Sequence, residues 1–115
     1  MRVPVAILGL ILLATSAVAQ TIRPADALAH VGQTVTVEGV VSEVYNAART
    51  DTTFIDMGGA YPNNVFTAVI FSEDASRFSD VEALDGKTVD VTGVIRLYKG
   101  IPEIILKSAG QIKRR

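Results

Sequence analysis

Gly32-Gln33-Thr34-Val35-Thr36-Val37-Glu38-Gly39-Val40-Val41 returns 54 residues later as Gly86-Lys87-Thr88-Val89-Asp90-Val91-Thr92-Gly93-Val94-Ile95. Each copy opens on a glycine turn, alternates polar residues with valine, and carries a second glycine where the alternation would continue. Strict period-two patterning with β-branched residues spells a half-buried strand. A glycine inside such a strand marks a bulge or bend, because no side chain obstructs the coiling backbone. Two long strands, each bent at mid-length, suit a small closed barrel better than a flat sheet.

Around this pair the rest of the chain falls into place. Pro24 followed by Ala25-Asp26-Ala27-Leu28-Ala29 predicts one or two helical turns before the first strand. That strand runs from about Thr34 to Tyr45 with Val35 and Val37 on the core face, and a bulge at Gly39 would let it serve two sheets. A polar loop, 46–51, leads to a second strand, Thr52 to Met57, which packs either Ile55 and Met57 or Phe54 inward. Gly58 to Asn64 is a turn segment, and Val65 to Phe71 is a third, almost continuously apolar strand. Between Ser72 and Asp85 the apolar residues Ala75, Phe78, Val81 and Leu84 fall three apart, so a short helix is expected, capped by Ser72 or Ser76. The fourth strand, Thr88 to Tyr98, faces Val89, Val91, Ile95 and Leu97 inward. Lys99-Gly100 turns the chain into a fifth strand, Ile101 to Lys107, where Pro102 belongs at the start or on an edge. The tail from Gly110 onward is expected to be loose.

Met1 to Ala19 has the three parts of an export signal: Arg2, the apolar run Val3 to Leu13, and Ala17-Val18-Ala19 before Gln20. The run is short of the ~20 residues a spanning helix needs, and no basic flank follows it closely. The expectation is a signal peptide over 1–19, no stable membrane insertion after its removal, and a periplasmic or secreted domain over 20–115. The absence of cysteine excludes disulfides, thiolate metal sites and a lipid-modified N-terminal cysteine. Residues 20–115 hold ten Lys/Arg against twelve Asp/Glu, and three of the positives are the terminal Lys113-Arg114-Arg115. An acidic body argues against nonspecific phosphate neutralisation as the main source of affinity.

The order β-β-β-α-β-β, with strands one and four long and glycine-bent, resembles the OB-fold, a five-stranded Greek-key barrel with a short helix between strands three and four. The resemblance spans about 32–112. It rests on the twin phrases, Thr53-Phe54-Ile55-Asp56-Met57-Gly58, Tyr61-Pro62-Asn63, and Tyr98-Lys99-Gly100-Ile101-Pro102-Glu103-Ile104. These stretches are similar to a group of small exported bacterial OB domains described as nucleic-acid-binding-like. The resemblance implies a ligand face on strands two and three, rimmed by the loops after strands one and four. There single strands are held by aromatic platforms and positive charge. Tyr45, Arg49, Tyr61, Arg96, Tyr98 and Lys99 are the residues that this implication selects. A domain similar to the periplasmic OB proteins associated with stress would instead take an envelope protein or a small ligand.

No catalytic constellation stands out, and no cofactor is implied. His30 has no His, Cys or carboxylate at ligand spacing, so a locally bonded turn residue is the expectation. Asp51 and Asp56 flank the second strand without a convergent third group, so solvated carboxylates are expected and not a metal site. One histidine leaves little room for a Ser-His-Asp triad. The OB barrel also underlies the secreted thermonucleases, but no stretch matches their clustered carboxylates and arginines. The chain reads as a non-enzymatic binding module.

Overall fold

The structure, a computed structural model, describes Gly9 and residues 18–115; most of the expected signal segment lies outside these. Among the described residues eight strands form one sheet, with four short 3₁₀ segments between them. They are β1 (Gln20–Ile22), η1 (Pro24–His30), β2 (Thr34–Ala47), β3 (Thr52–Met57), β4 (Phe66–Ile70), η2 (Ser72–Arg77), η3 (Val81–Leu84), β5 (Thr88–Val94), β6 (Arg96–Tyr98), β7 (Ile101–Ile105), η4 (Ala109–Gln111) and β8 (Ile112–Arg114). The hydrogen-bonded path is β6-β7-β4-β3-β2-β5-β8, with β1 beside β2. The path is open, in contrast to the sealed five-stranded ring expected, although β5 and β6, at opposite sides of it, are separated by Ile95 alone.

The two copies of the repeated phrase pair antiparallel with each other. Val37 partners Val91, its counterpart in the repeat, while Val35 faces Gly93 and Gly39 faces Val89. Both glycines stand on the core-facing alternation, and the reason is crowding. A Cβ on Gly39 would lie 2.5 Å from Pro24 Cγ, and one on Gly93 would lie 2.6 Å from Ile104 Cγ2 and 3.2 Å from Gln111 Nε2. Each glycine therefore lets another segment cross close over the strand. The bulge itself lies elsewhere. Pairing with β5 continues through Gly39 and Val40, and the register shifts against β3 between Val41 and Glu43. The extra residue, Ser42, reverses the alternation, so Val41 and Val44 both reach the core although three apart. Val40 stays exposed.

Four further expectations are corrected. The helix between the third and fourth strands is two 3₁₀ segments, broken where Asp80 takes the left-handed conformation (φ 54°). Apolar residues spaced by three match the three residues per turn of a 3₁₀ helix, and Phe78, Val81 and Leu84 pack on the core from there. Neither Ser72 nor Ser76 caps a helix; η2 begins without any side-chain cap. Leu97 is 48% exposed, because it lies on β6, the edge strand, where no further strand covers it. The C-terminal segment is ordered. Gln111 accepts from the Lys107 and Ser108 amides and donates to the carbonyls of Thr92 and Ile105, and β8 pairs with β5. Arg115 ends the chain between Glu38 (3.0 Å) and Asp90 (2.8 Å), two carboxylates directly opposite each other on β2 and β5.

Gly93→Ala is expected to lose about 1–3 kcal/mol, since neither the buried Ile104 nor the fully bonded Gln111 has room to move. Gly110→Ala, where nothing lies within 4 Å, should change little. Urea unfolding of the two variants measures the difference.

Candidate ligand face

Which side of β3 meets the core decides what the opposite side displays. Ile55 and Met57 are fully buried in the core, so Phe54 and Asp56 face away from it. The registers then define two rows across the outer face. One runs Tyr45, Phe54, Val69, Ile105. The other, two residues further along each strand, runs Glu43, Asp56, Thr67, Glu103, Arg96. Adjacent strands are about 4.8 Å apart, so the second row spans roughly 19 Å.

The first row is aromatic at one end. Tyr45 and Phe54 are direct cross-strand partners, with ring centroids 6.4 Å apart and planes 20° from parallel. Such pairs stabilise a sheet by about 0.2–1 kcal/mol relative to alanine. Tyr45 remains 55% exposed, which leaves ring surface for a ligand. The second row is acidic. Asp56 and Glu103 are each only 3% exposed although they face away from the core. Glu103 accepts from Arg96 Nε at 2.6 Å. Asp56 has no cation partner among the described residues; it accepts a hydrogen bond from Asn64 Nδ2 at 3.2 Å. Burial, with the nearby Glu43 charge adding to it, raises the Asp56 pKa above the ordinary carboxylate value; the Thr67 hydroxyl works against this.

The six residues selected from the sequence divide between the two ends of this face. Tyr45 lies at the end near the β2–β3 hairpin, whose exposed turn carries Arg49. Tyr98 and Lys99 lie at the opposite end, in the β6–β7 turn, with Lys99 Nζ 5.4 Å from the Tyr98 ring centroid. Lys99 and Gly100 both have positive φ, as a tight two-residue hairpin turn demands. Tyr61, 78% exposed, stands in the loop between β3 and β4. Arg96 sits in the acidic row and is already committed to Glu103. A single continuous cationic track is therefore not formed: between the two ends lie three carboxylates. Glu43, Asp56, Asn64 and Glu103 were not singled out as neighbours in the sequence, since bringing together residues 8 to 60 positions apart requires the fold. His30 Nδ1 is 2.8 Å from Gln33 Oε1, a local contact. Asp51 accepts from Asn46 Nδ2 at 3.1 Å and does not face Asp56. Among the described residues no three His, Cys, Asp or Glu side chains converge as a metal group.

Neither a protein-family model nor a curated protein matches the chain. Solved structures do. An OBody described as bound to hen egg-white lysozyme is 14% identical with a TM-score of 0.57, the match covering 88% of this chain and 98% of the OBody. The asparaginyl-tRNA synthetase of Entamoeba histolytica is 18% identical with a TM-score of 0.52, over 86% of this chain and 24% of that one. The aspartyl-tRNA synthetase of the same organism is 18% identical with a TM-score of 0.50, over 78% and 20%. This chain thus spans less than a quarter of the synthetases it matches. At these identities the likeness speaks to architecture: the chain has an OB-fold.

Because the Asp56 pKa is raised by folding, its ionised form costs stability. That cost is full above the raised pKa and vanishes as pH falls past the ordinary carboxylate range. Asp56→Asn is therefore expected to be more stable than wild type at neutral pH by about 0.2–1 kcal/mol, the size of a directly opposed like-charge pair. The two proteins should converge in acid. Thermal unfolding from neutral to acidic pH, in chelator, checks both halves.

Proposed function

We propose that the chain is a non-enzymatic OB-fold binding module that holds single-stranded nucleic acid on the outer face of β3 and β4. The observation that carries this reading is the Tyr45–Phe54 pair on that face, with much of Tyr45 open to solvent. Aromatic surfaces stack bases without regard to sequence, at about 1–3 kcal/mol per base. The synthetase likeness supports a nucleic-acid module at the level of fold. In this reading β5, Ile95 and β6 act as one bent strand, which completes a five-stranded barrel. The phosphates would pass along the rims, near Arg49 at one end and Lys99 at the other, and avoid the carboxylate row. The domain would work in the periplasm or outside the cell after removal of residues 1–19. Among the described residues no helix is long and apolar enough to cross a membrane.

A second reading follows from the same acidic row: Glu43, partly exposed with the unneutralised Asp56 behind it, suits a basic segment of an envelope protein better than a polyanion. The OBody bound to lysozyme is an example of an OB scaffold of similar extent holding a protein.

Fluorescence anisotropy with a labelled oligonucleotide separates the two. The nucleic-acid reading expects binding at low salt with a shallow salt dependence, since only one or two phosphates are neutralised, each contributing about −0.7 to the logarithmic slope. Tyr45→Ala should weaken binding by about 1–3 kcal/mol. No binding at low salt, or binding indifferent to Tyr45, removes the reading and leaves the protein partner, which a pull-down from an envelope extract in high salt would recover.

A further inference from the structure

A cavity of about 220 Å³ lies between the η2–η3 segment and the last strand, on the core side of the sheet. Its floor is the core itself: Ile55, on the side of β3 away from Phe54, and Ile70, the last residue of β4. Phe78, Val81, Leu84 and Ile112 form the walls, each packed against the core yet only partly buried. Four apolar side chains thus stay partly open around a shared space. That space is smaller than the clefts of about 300–1,000 Å³ that take drug-sized molecules, so its occupant is small.

The rim of the cavity is cationic, with Arg77 and Arg114 both lining it. Arg77 is committed: its Nη1 lies 3.0 Å from Asp74 Oδ1 and donates to the Lys107 carbonyl at 3.0 Å. Arg114 is not, since among the described residues no ion pair includes it. Its place in the sheet is an odd one for a charge. Arg114 pairs with Val89 and Ile112 pairs with Val91, and both valines are fully buried. Directly opposed residues share a face, so Arg114 stands on the core-facing alternation of β8. Lys113, between them, faces the other way with Asp90. The position that alternation reserves for an apolar residue therefore holds a guanidinium, at the mouth of a space with apolar walls.

We propose that this cavity binds a small amphiphilic anion, a medium-chain carboxylate, with its tail among Phe78, Val81, Leu84 and Ile112 and its head on Arg114. The two halves of the site select the two halves of the ligand. A wholly polar anion would leave the apolar walls uncovered, and a neutral hydrocarbon would leave Arg114 without a partner. The planar guanidinium matches a carboxylate with two parallel hydrogen bonds. Asp74, the buried acid of η2, is matched by Arg77 and so does not oppose an incoming anion. The site stands apart from the nucleic-acid reading: it lies on the other side of β3 from Phe54 and requires neither an oligonucleotide nor Tyr45.

The test is an NMR titration of the ¹⁵N-labelled full chain with butanoate, hexanoate and octanoate, with acetate and octanol as the head and the tail alone. Octanoate should give saturable amide shifts centred on Phe78, Val81, Leu84 and Ile112. Affinity should rise about fourfold for each methylene added, the value of burying one. Acetate and octanol should each bind more weakly than octanoate. Arg114→Gln should weaken octanoate about tenfold or more, the loss of a charged hydrogen-bond partner, and leave octanol unchanged. Lys113→Gln, on the opposite side of the same strand, should bind as wild type does. No saturable shifts, a footprint centred on Tyr45 and Glu43, octanol binding as tightly as octanoate, or equal octanoate affinity in Arg114→Gln overturns the site. The footprint and the ligand series use wild-type protein, so they decide the matter even if a variant misfolds. Oligonucleotide binding is a separate measurement, so the failure of either reading leaves the other standing.

Discussion

One strand holds this molecule together, and a single extra residue determines what its outer face displays. The first half of β2 pairs with β5 and β1, and its second half pairs with β3. Without a change of alternation, a strand that serves both halves would present the same side to the core throughout. Val44 would then face outward and Glu43 inward. Ser42 supplies the change. Its hydroxyl accepts the Gly59 amide at 3.0 Å, which ties the bulge to the loop after β3. Beyond it Glu43 and Tyr45 face outward, so the same irregularity that keeps valines in the core also creates the acidic and aromatic rows. Core packing and the chemistry of the outer face are therefore not independent in this chain.

The electrostatics follow from the same geometry. Antiparallel pairing brings carboxylates into register on both sides of β2, and each pair needs an answer. Arg115 answers one, and Arg96 balances Glu103 in the outer row. These commitments explain why so few positive charges remain for a phosphate backbone, despite a nearly even balance of charge in the sequence. Arginines that look available in a linear reading are spent on neighbours within the fold.

How far the residues alone carried the reading follows from the range of the interactions involved. The duplicated phrase was legible because alternation and β-branching are local, and Val35, Val37, Val89 and Val91 are all buried as the alternation requires. The position of the bulge was not, because Ser42 acts through a partner 17 residues away. The three-residue spacing from Ala75 to Leu84 was visible, but its 3₁₀ character depends on the left-handed Asp80. Tyr45 was expected to flank the loop after the first strand, and the register sets it beside Phe54 on the outer face. The orientation of Phe54 and the company of Asp56 required the register with β2, which no local pattern encodes. The ordering of 110–115 was missed because a run of basic residues says nothing about the carboxylates waiting for it on β2 and β5.

The short β1 has an effect out of proportion to its three residues. By lying parallel to Val35–Val37 it covers the flank of β2 that β3 does not reach. Backbone groups left open there would offer a ready template to a second copy of the chain. A protein trimmed to 32–112 would keep every residue of the twin phrases yet lose both this guard and the Arg115 bridge. Such a fragment would be prone to self-association through a freshly bared sheet margin, and its apolar interior would lack Ile22 and Ala27.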